Sequence, residues 1–171
     1  MNVVGAHSFT ERMIGAARLD IDIYEEVEAD TTATTQAAGV VAMVAIASAI
    51  GGAGGGTESA IGGLIGAIVG WLLWAGITYL IGDKVLGGTA TWGELLRTLG
   101  FAQAPGVLMV LALVPLLGGI VAFVVGIWIL IAGVIAIRQA LDFSTGKAIL
   151  TGVLGWLALA IPMALLGAAM R

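Results

Sequence analysis

The sequence predicts an all-α, polytopic membrane helix bundle: five transmembrane helices preceded by an N-terminal amphipathic helix that is cytoplasmic or interfacial. Three observations predict it. The long stretch Thr98–Ile137 carries no charged side chain, and Thr31–Thr57, Ser59–Gly82 and Ala148–Met170 are shorter uncharged runs. Only 11% of the 171 residues are charged and 60% are hydrophobic, with a mean hydropathy of +1.09. A soluble domain carries about 25% charged residues, so here lipid must cover what charge cannot. A charge at the bilayer centre costs roughly 2.5–3.5 kcal/mol on insertion scales, which is why such runs mark membrane spans. The third observation is the placement of Lys and Arg, which fits one side of an odd number of spans.

The chain divides into an N-terminal segment, 1–35, and a spanning domain, 36–171. Most of the acidic residues lie near the N-terminus: Glu11, Asp20, Asp22, Glu25, Glu26, Glu28 and Asp30. An acidic segment argues against nucleic acid as a partner, since phosphate binding needs a basic patch. The stretch from Ser8 to Glu11 reads as a capping box that starts a helix. Phe9, Met13, Ala17, Ile21 and Tyr24 then trace one apolar stripe at spacings of four, four, four and three. Such a helix either lies in the membrane interface, with Arg12 and Arg18 at the headgroups, or packs on the protein's own loops. The acidic end from Tyr24 to Glu28 is either solvated or meets a basic partner. His7 reads as an exposed tail residue rather than a metal ligand. The first apolar stretch starts only near Ala37 and follows mixed charge, unlike a cleavable signal peptide.

A helix needs about 20 apolar residues to cross roughly 30 Å of hydrocarbon. The first span falls near 36–53 and the second within Ser59–Gly82, joined by the glycine-rich stretch 51–56. The longest uncharged run would reach about 60 Å as one helix, twice the core thickness. It must fold back, and Pro115, Gly118 and Gly119 supply the breaker and the flexible residues of a hairpin turn. That gives spans near 100–117 and 120–137, with Pro105 either kinking the first or leaving Trp92–Ala104 along the interface. Ala148–Met170 is the fifth span. With the N-terminus cytoplasmic, the inner segments hold Arg12, Arg18, Lys84, Arg97, Arg138 and Lys147, while the outer ones hold only Arg171. This distribution obeys the positive-inside rule and places the protein in a cytoplasmic (inner) membrane with its C-terminus outside. Arg12, Arg18, Trp92, Arg97, Arg138 and Lys147 are then interfacial. Trp71 and Trp156 also read as interfacial anchors, and Trp74 and Trp128 as packing residues.

Few motifs carry chemistry. Gly62, Gly66 and Gly70 recur at a spacing of four beside Gly63, which lets another backbone approach, more readily within the bundle than in a homodimer. The Gly146–Lys147 pair resembles a phosphate loop only superficially. Leu141 stands where the first glycine is required and Ala148 where the magnesium-binding hydroxyl is required. Ser144 or Thr145 instead caps the last span. Arg138 with Asp142, and Glu94 with Arg97, have helical pair spacing. The chain has no cysteine, so thiolate and iron–sulfur sites are excluded. Within the spans only Ser48, Thr78, Gln103 and Thr151 interrupt the apolar character, and none is ionisable. Neither catalysis nor ion coupling finds its groups there, and no cofactor or metal is expected.

The residues also carry a resemblance. The stretch from Tyr79 to Gly82 leads to Gly87–Gly88, then to Trp92–Arg97, Leu99–Ala102 and Pro105. Trp128 and the stretch Gln139–Ala148 follow. This order resembles the prokaryotic branch of the Yip family of membrane proteins, named for interaction with Ypt/Rab GTPases, over roughly residue 37 to the C-terminus. The resemblance implies five spans and a cytoplasmic N-terminus, with no settled activity for prokaryotic members. The trafficking role of eukaryotic members does not carry over, because their Asp-Leu-Gly-Pro signature is missing. The sequence thus points to a non-enzymatic scaffold or membrane-organising protein, whose partners are the lipid bilayer and membrane proteins or further copies of itself. An accessory subunit of a larger complex is the alternative, and a small uncoupled channel or carrier lined by Gly, Thr and Gln is a third.

Overall fold

The computed structural model describes residues 7–52, 57–114 and 116–169. Among these the chain is helical throughout, with no strand. Two short helices, α1 (Phe9–Ala17) and α2 (Ile21–Ala29), precede α3 (Ala33–Gly51) and α4 (Thr57–Tyr79), which runs on as a π-helical turn, Leu80–Val85. Then come α5 (Trp92–Phe101), a 3₁₀ segment (Ala104–Leu113), α6 (Gly118–Ala140) and α7 (Thr145–Ala169). Four helices are long and apolar enough to cross a membrane: Ala33–Gly51, Ile61–Val85, Trp92–Leu113 and Gly118–Ala140. The apolar stretch Thr145–Leu159 of α7 joins them. This is the helical membrane bundle that the uncharged runs predict.

Contacts between the helices fix their directions. Positions Ala37, Val44 and Gly51 of α3 meet Gly100, Gly106 and Met109 in ascending order, so α3 runs parallel to α5 and the 3₁₀ segment. Trp71 meets Leu96 while Gly76 meets Trp92, so α4 runs the other way. The start of α3, the end of α4, the start of α5, the end of α6 and the start of α7 therefore share one end, here the polar end. Outward faces are aliphatic: Ile61, Ile65, Val69 and Leu73 on α4, and Ile120, Phe123, Ile127 and Leu130 on α6, are all exposed. In water this surface would aggregate; in a bilayer it is the solvated face.

The third span answers the question Pro105 raised in a way neither alternative anticipated. Pro105 sits at the first turn of the 3₁₀ segment, where its missing N–H costs nothing, and the chain changes helix type instead of kinking. At about 1.5 Å per residue for α5 and about 2.0 Å for the 3₁₀ segment, the two together reach about 35 Å, enough to cross. The extended rise also narrows the helix, and α3 presses against it. A Cβ at Gly51 would lie 1.9 Å from the Met109 carbonyl oxygen, and one at Gly106 would lie 2.5 Å from Val44 Cγ1. The chain then reverses between Leu113 and Gly118, with Leu116 at a φ of 72° and the Leu117 amide donating to the Val114 carbonyl at 3.1 Å. Gly118 and Gly119 open α6, whereas Pro115 lies outside the described residues, as does much of the 51–56 connection.

The close-packing glycines are not those the spacing pointed to. A Cβ at Gly62, Gly63, Gly66 or Gly70 would meet nothing within 4 Å, so among the described residues this face of α4 is open. Contact within the bundle is carried instead by Gly51, Gly100 and Gly106.

Candidate functional site

Chemistry-bearing side chains gather at the polar end, where α1 and α2 form a hairpin against the bundle. The single N-terminal helix expected from the apolar stripe breaks at Leu19, which has a left-handed φ of 65°. The amides of Arg18, Leu19 and Asp20 bond back to the carbonyls of Ile14, Ala16 and Gly15 at 2.9, 3.0 and 3.0 Å, closing α1. Asp20 then starts α2 by accepting from the Asp22 amide at 3.1 Å. The capping box at the other end forms as the sequence predicts, the Ser8 amide donating to Glu11 at 2.8 Å. The break folds α2 onto α1. Tyr24, fully buried, donates to the Ala16 carbonyl at 3.1 Å, and Ile23 packs on Gly15.

The hairpin lies along the flank of the bundle, not across its end. Trp128 Nε1 donates to the Ala17 carbonyl at 2.7 Å. Trp128 stands well before the end of α6 at Ala140, about 18 Å along that helix. Phe9 meets Phe101 edge-on at 6.4 Å between centroids. Higher up, Gln139 donates to Glu25 at 3.0 Å.

Two buried guanidiniums hold the hairpin. Arg12, 2% exposed, has Nη2 2.8 Å from Glu26 Oε1 and 2.7 Å from Asp30 Oδ2, while Nη1 donates to Gln36 of α3 at 3.0 Å. Arg97 of α5, 6% exposed, donates to the Val27 carbonyl at 2.9 Å and to the Glu28 carbonyl at 3.0 Å. It thereby caps the C-terminal end of α2, where a cation is favoured by the helix dipole. Of the two alternatives for the N-terminal helix, Arg12 follows packing on the protein itself and not headgroup contact, and Arg97, expected at the interface, is buried within the protein as well. Burial in an acid-rich segment pairs them with carboxylates and orphan carbonyls instead of lipid. The helical pairs Glu94–Arg97 and Arg138–Asp142 do not form either. Glu94 caps α5 by accepting from the Thr91 amide at 2.7 Å, Arg138 bonds Gln139 at 3.0 Å, and Asp142 accepts from Thr89 at 2.9 Å.

The electrostatics follow from this packing. The Thr32 hydroxyl first, and then Arg12, hold Asp30 below the usual carboxylate range. A hydrogen bond to Glu26 raises His7, which bridges to α2 and is no isolated tail residue. Burial, reinforced by Glu94, Asp142 and Glu25, pushes Glu28 up to about 7. Exposed around this clasp are Glu11, Asp20, Asp22, Glu25 and Asp142, together with Arg18, Lys84 and Lys147. Lys147 Nζ donates to the Leu86 carbonyl at 3.4 Å, and Ser144 caps α7 through the Lys147 amide at 3.5 Å. Trp92 is exposed at the start of α5. Trp71, by contrast, is buried inside the bundle and donates to the Leu96 carbonyl at 3.0 Å, so it is a helix clasp and not an interfacial anchor. Among the described residues no group of three or more His, Asp or Glu could hold a metal ion.

The sequence model of the Yip1 domain matches residues 24–166, most of the chain. No curated protein and no solved structure matches. The chain belongs to the Yip1 domain family, and its match begins inside α2, so it takes in most of that helix as well as the spans.

Proposed function

We propose that this protein is a non-enzymatic membrane scaffold that works through the polar end of its bundle, set on the cytoplasmic side of an inner membrane. The observation that supports this most is the Arg12–Glu26–Asp30 clasp. Its charged groups are consumed in holding α1 and α2, and the outcome is a fixed hairpin with exposed acids on its outer side. A rigid, solvated acidic face recognises basic protein segments and leaves the spans to lipid. Residues 1–35 form the recognition face and residues 36–171 the anchor. Trp92, Arg138 and Lys147 would sit at headgroup level around it.

Purification in mild detergent followed by mass spectrometry of co-purifying proteins tests the reading. Partners retained by the intact protein and lost when Asp20, Asp22 and Glu25 are changed together to Asn, Asn and Gln would support it. Partners unaffected by that change would refute it.

One observation favours a second reading, the accessory subunit. The open face at Gly62, Gly66 and Gly70 allows a helix of another membrane protein, or of a second copy, to approach α4 closely. Partners lost on Gly66→Leu, but kept when the acids are neutralised, would select this reading.

A further inference from the structure

Between α4, α5, α6 and α7 the bundle holds a cavity of about 820 Å³. The four helices contact one another in a closed ring, α4 to α5, α5 to α6, α6 to α7 and α7 to α4. The volume lies in the range of clefts that hold small molecules, roughly 300–1,000 Å³. Its wall is almost wholly apolar, built from side chains such as Trp71, Leu99, Val134 and Ile137, with glycines at 70, 133 and 152 providing the space. No charged side chain lines it.

Two polar groups interrupt this wall. Trp74 Nε1 is buried without a hydrogen-bond partner, and the Gln103 carboxamide makes no hydrogen bond among the described residues. Thr78, one turn along the same face of α4, is fully buried and its hydroxyl is also unpartnered. A buried polar group without a partner costs about 1–3 kcal/mol; Thr78 lies outside the cavity wall, but Trp74, with Gln103 on the same cavity, calls for an occupant. The polar ends of the two spans are Val85 and Trp92. Trp74 and Gln103 each lie about three helical turns, or about 16 Å, from those ends.

We propose that this cavity is a binding site for an uncharged lipid carrying a carbonyl or hydroxyl oxygen, of the quinone or long-chain alcohol type. The indole N–H can only donate, so the ligand must offer an acceptor, while the Gln103 amide can accept from a hydroxyl or donate to a second oxygen. A charged headgroup is excluded at this depth, because no counter-charge lines the wall. Access is lateral from the bilayer, since Leu130, Ile149 and Trp156 line the cavity and are also exposed to lipid, at 66%, 48% and 57%. This inference goes beyond the scaffold reading and does not depend on it.

The test uses the full chain in phosphatidylcholine nanodiscs, titrated with a decyl-substituted benzoquinone while tryptophan fluorescence is read. Trp71, Trp74 and Trp156 line the cavity and report on it. Saturable quenching at one quinone per chain is expected. Displacement by geranylgeraniol would extend the site to alcohols, and its absence would confine the site to quinones. Gly133→Leu should fill the cavity and abolish the saturable component, since its Cβ would start in open space, with nothing within 4 Å. Gly70→Leu provides the same test from α4 should the first variant fail to fold. Trp74→Phe keeps the ring and removes the donor, and should weaken binding roughly 2- to 10-fold. Linear, non-saturating quenching that is equal in the wild type and both glycine variants would overturn the proposal. Unchanged affinity in Trp74→Phe would overturn the acceptor chemistry.

Discussion

Replacing Arg12 by Met removes the guanidinium that ties α1 to the last turns of α2 and to Asp30 just beyond it, while keeping most of the side-chain volume. Two charge-assisted contacts, to Glu26 at 2.8 Å and Asp30 at 2.7 Å, and one hydrogen bond to Gln36 at 3.0 Å are lost together. Breaking a buried ion pair costs about 3–5 kcal/mol, mainly through the charge left uncompensated. Here the abandoned partners are only partly buried, at 24% and 27% side-chain exposure, and Asp30 still accepts from Thr32 at 2.9 Å. The expected loss is therefore about 2–3 kcal/mol, and it falls on hairpin docking rather than on the spans. Hydrogen exchange in nanodiscs reads it directly, because a tenfold change in an opening equilibrium corresponds to about 1.4 kcal/mol. Amides of residues 9–29 should lose protection by roughly 30- to 150-fold, with those of α6 unchanged. Arg12→Lys should recover only part, since an ammonium cannot match the fork that reaches three partners. Protection in α1 and α2 that changes less than about threefold would refute the clasp as the element that holds the hairpin.

Other consequences are as specific. Glu28 has a raised pKa in the folded protein, so its contribution to stability is complete below the ordinary value of 4.5 and is lost as pH rises through about 7. Glu28→Gln should accordingly stabilise the hairpin by about 1 kcal/mol at pH 8, after allowance for solvent screening, and by almost nothing at pH 4, as measured by pH-dependent exchange. Gly51→Ala should destabilise by more than about 2 kcal/mol, because its Cβ would strike the Met109 carbonyl, whereas Gly66→Ala should be neutral or stabilising by about 0.5–1 kcal/mol. Thermal unfolding in detergent separates the two, and equal shifts would contradict the packing described. Trp71→Phe should cost about 1 kcal/mol by removing the indole bond to the Leu96 carbonyl, seen as a lower midpoint in the same scan. Single cysteines at Leu116 and Ser144, both exposed, should react with an impermeant thiol reagent from opposite sides of the membrane. Labelling of both from one side would rule out the alternating topology.

The bundle was legible in the sequence because a bilayer imposes its demand on every residue of a span, and composition alone records that demand. The reversal after Leu113 was legible for the same reason, since length left no other solution. What the pattern concealed was the change of helix type at Pro105. Gly100 and Gly106 fall on a common face only when an α-helix passes into a narrower 3₁₀ helix. A search at the spacing of four instead finds Gly62, Gly66 and Gly70, where an added Cβ would meet nothing within 4 Å among the described residues. The break at Leu19 was hidden in a similar way. An apolar stripe at helical spacing continues through it, and only the back-bonded amides of Arg18 to Asp20 reveal the turn.

The arginines show where a signal existed and pointed further than interfacial placement. In the segment 7–30 only Arg12 and Arg18 oppose a run of acids from Glu11 to Asp30, so an arginine there has more carboxylates within reach than headgroups. Arg12 finds its partners at Glu26 of α2 and at Asp30 beyond it, a separation that no helical pairing rule reports. Arg97 finds the end of α2 from the far side of two intervening helices, α3 and α4, and nothing local in its sequence points there. These long pairings have a consequence for the exposed surface. Because Arg12 and Arg97 are turned inward, their charge does not offset that of the outer face, and Glu11, Asp20, Asp22 and Glu25 stand on the hairpin opposed only by Arg18 among the described residues. A hairpin free of its clasp would expose Arg12 as well and lose that contrast. The buried arginines therefore do two things at once: they hold α1 and α2 in place, and they set the sign of what those helices present.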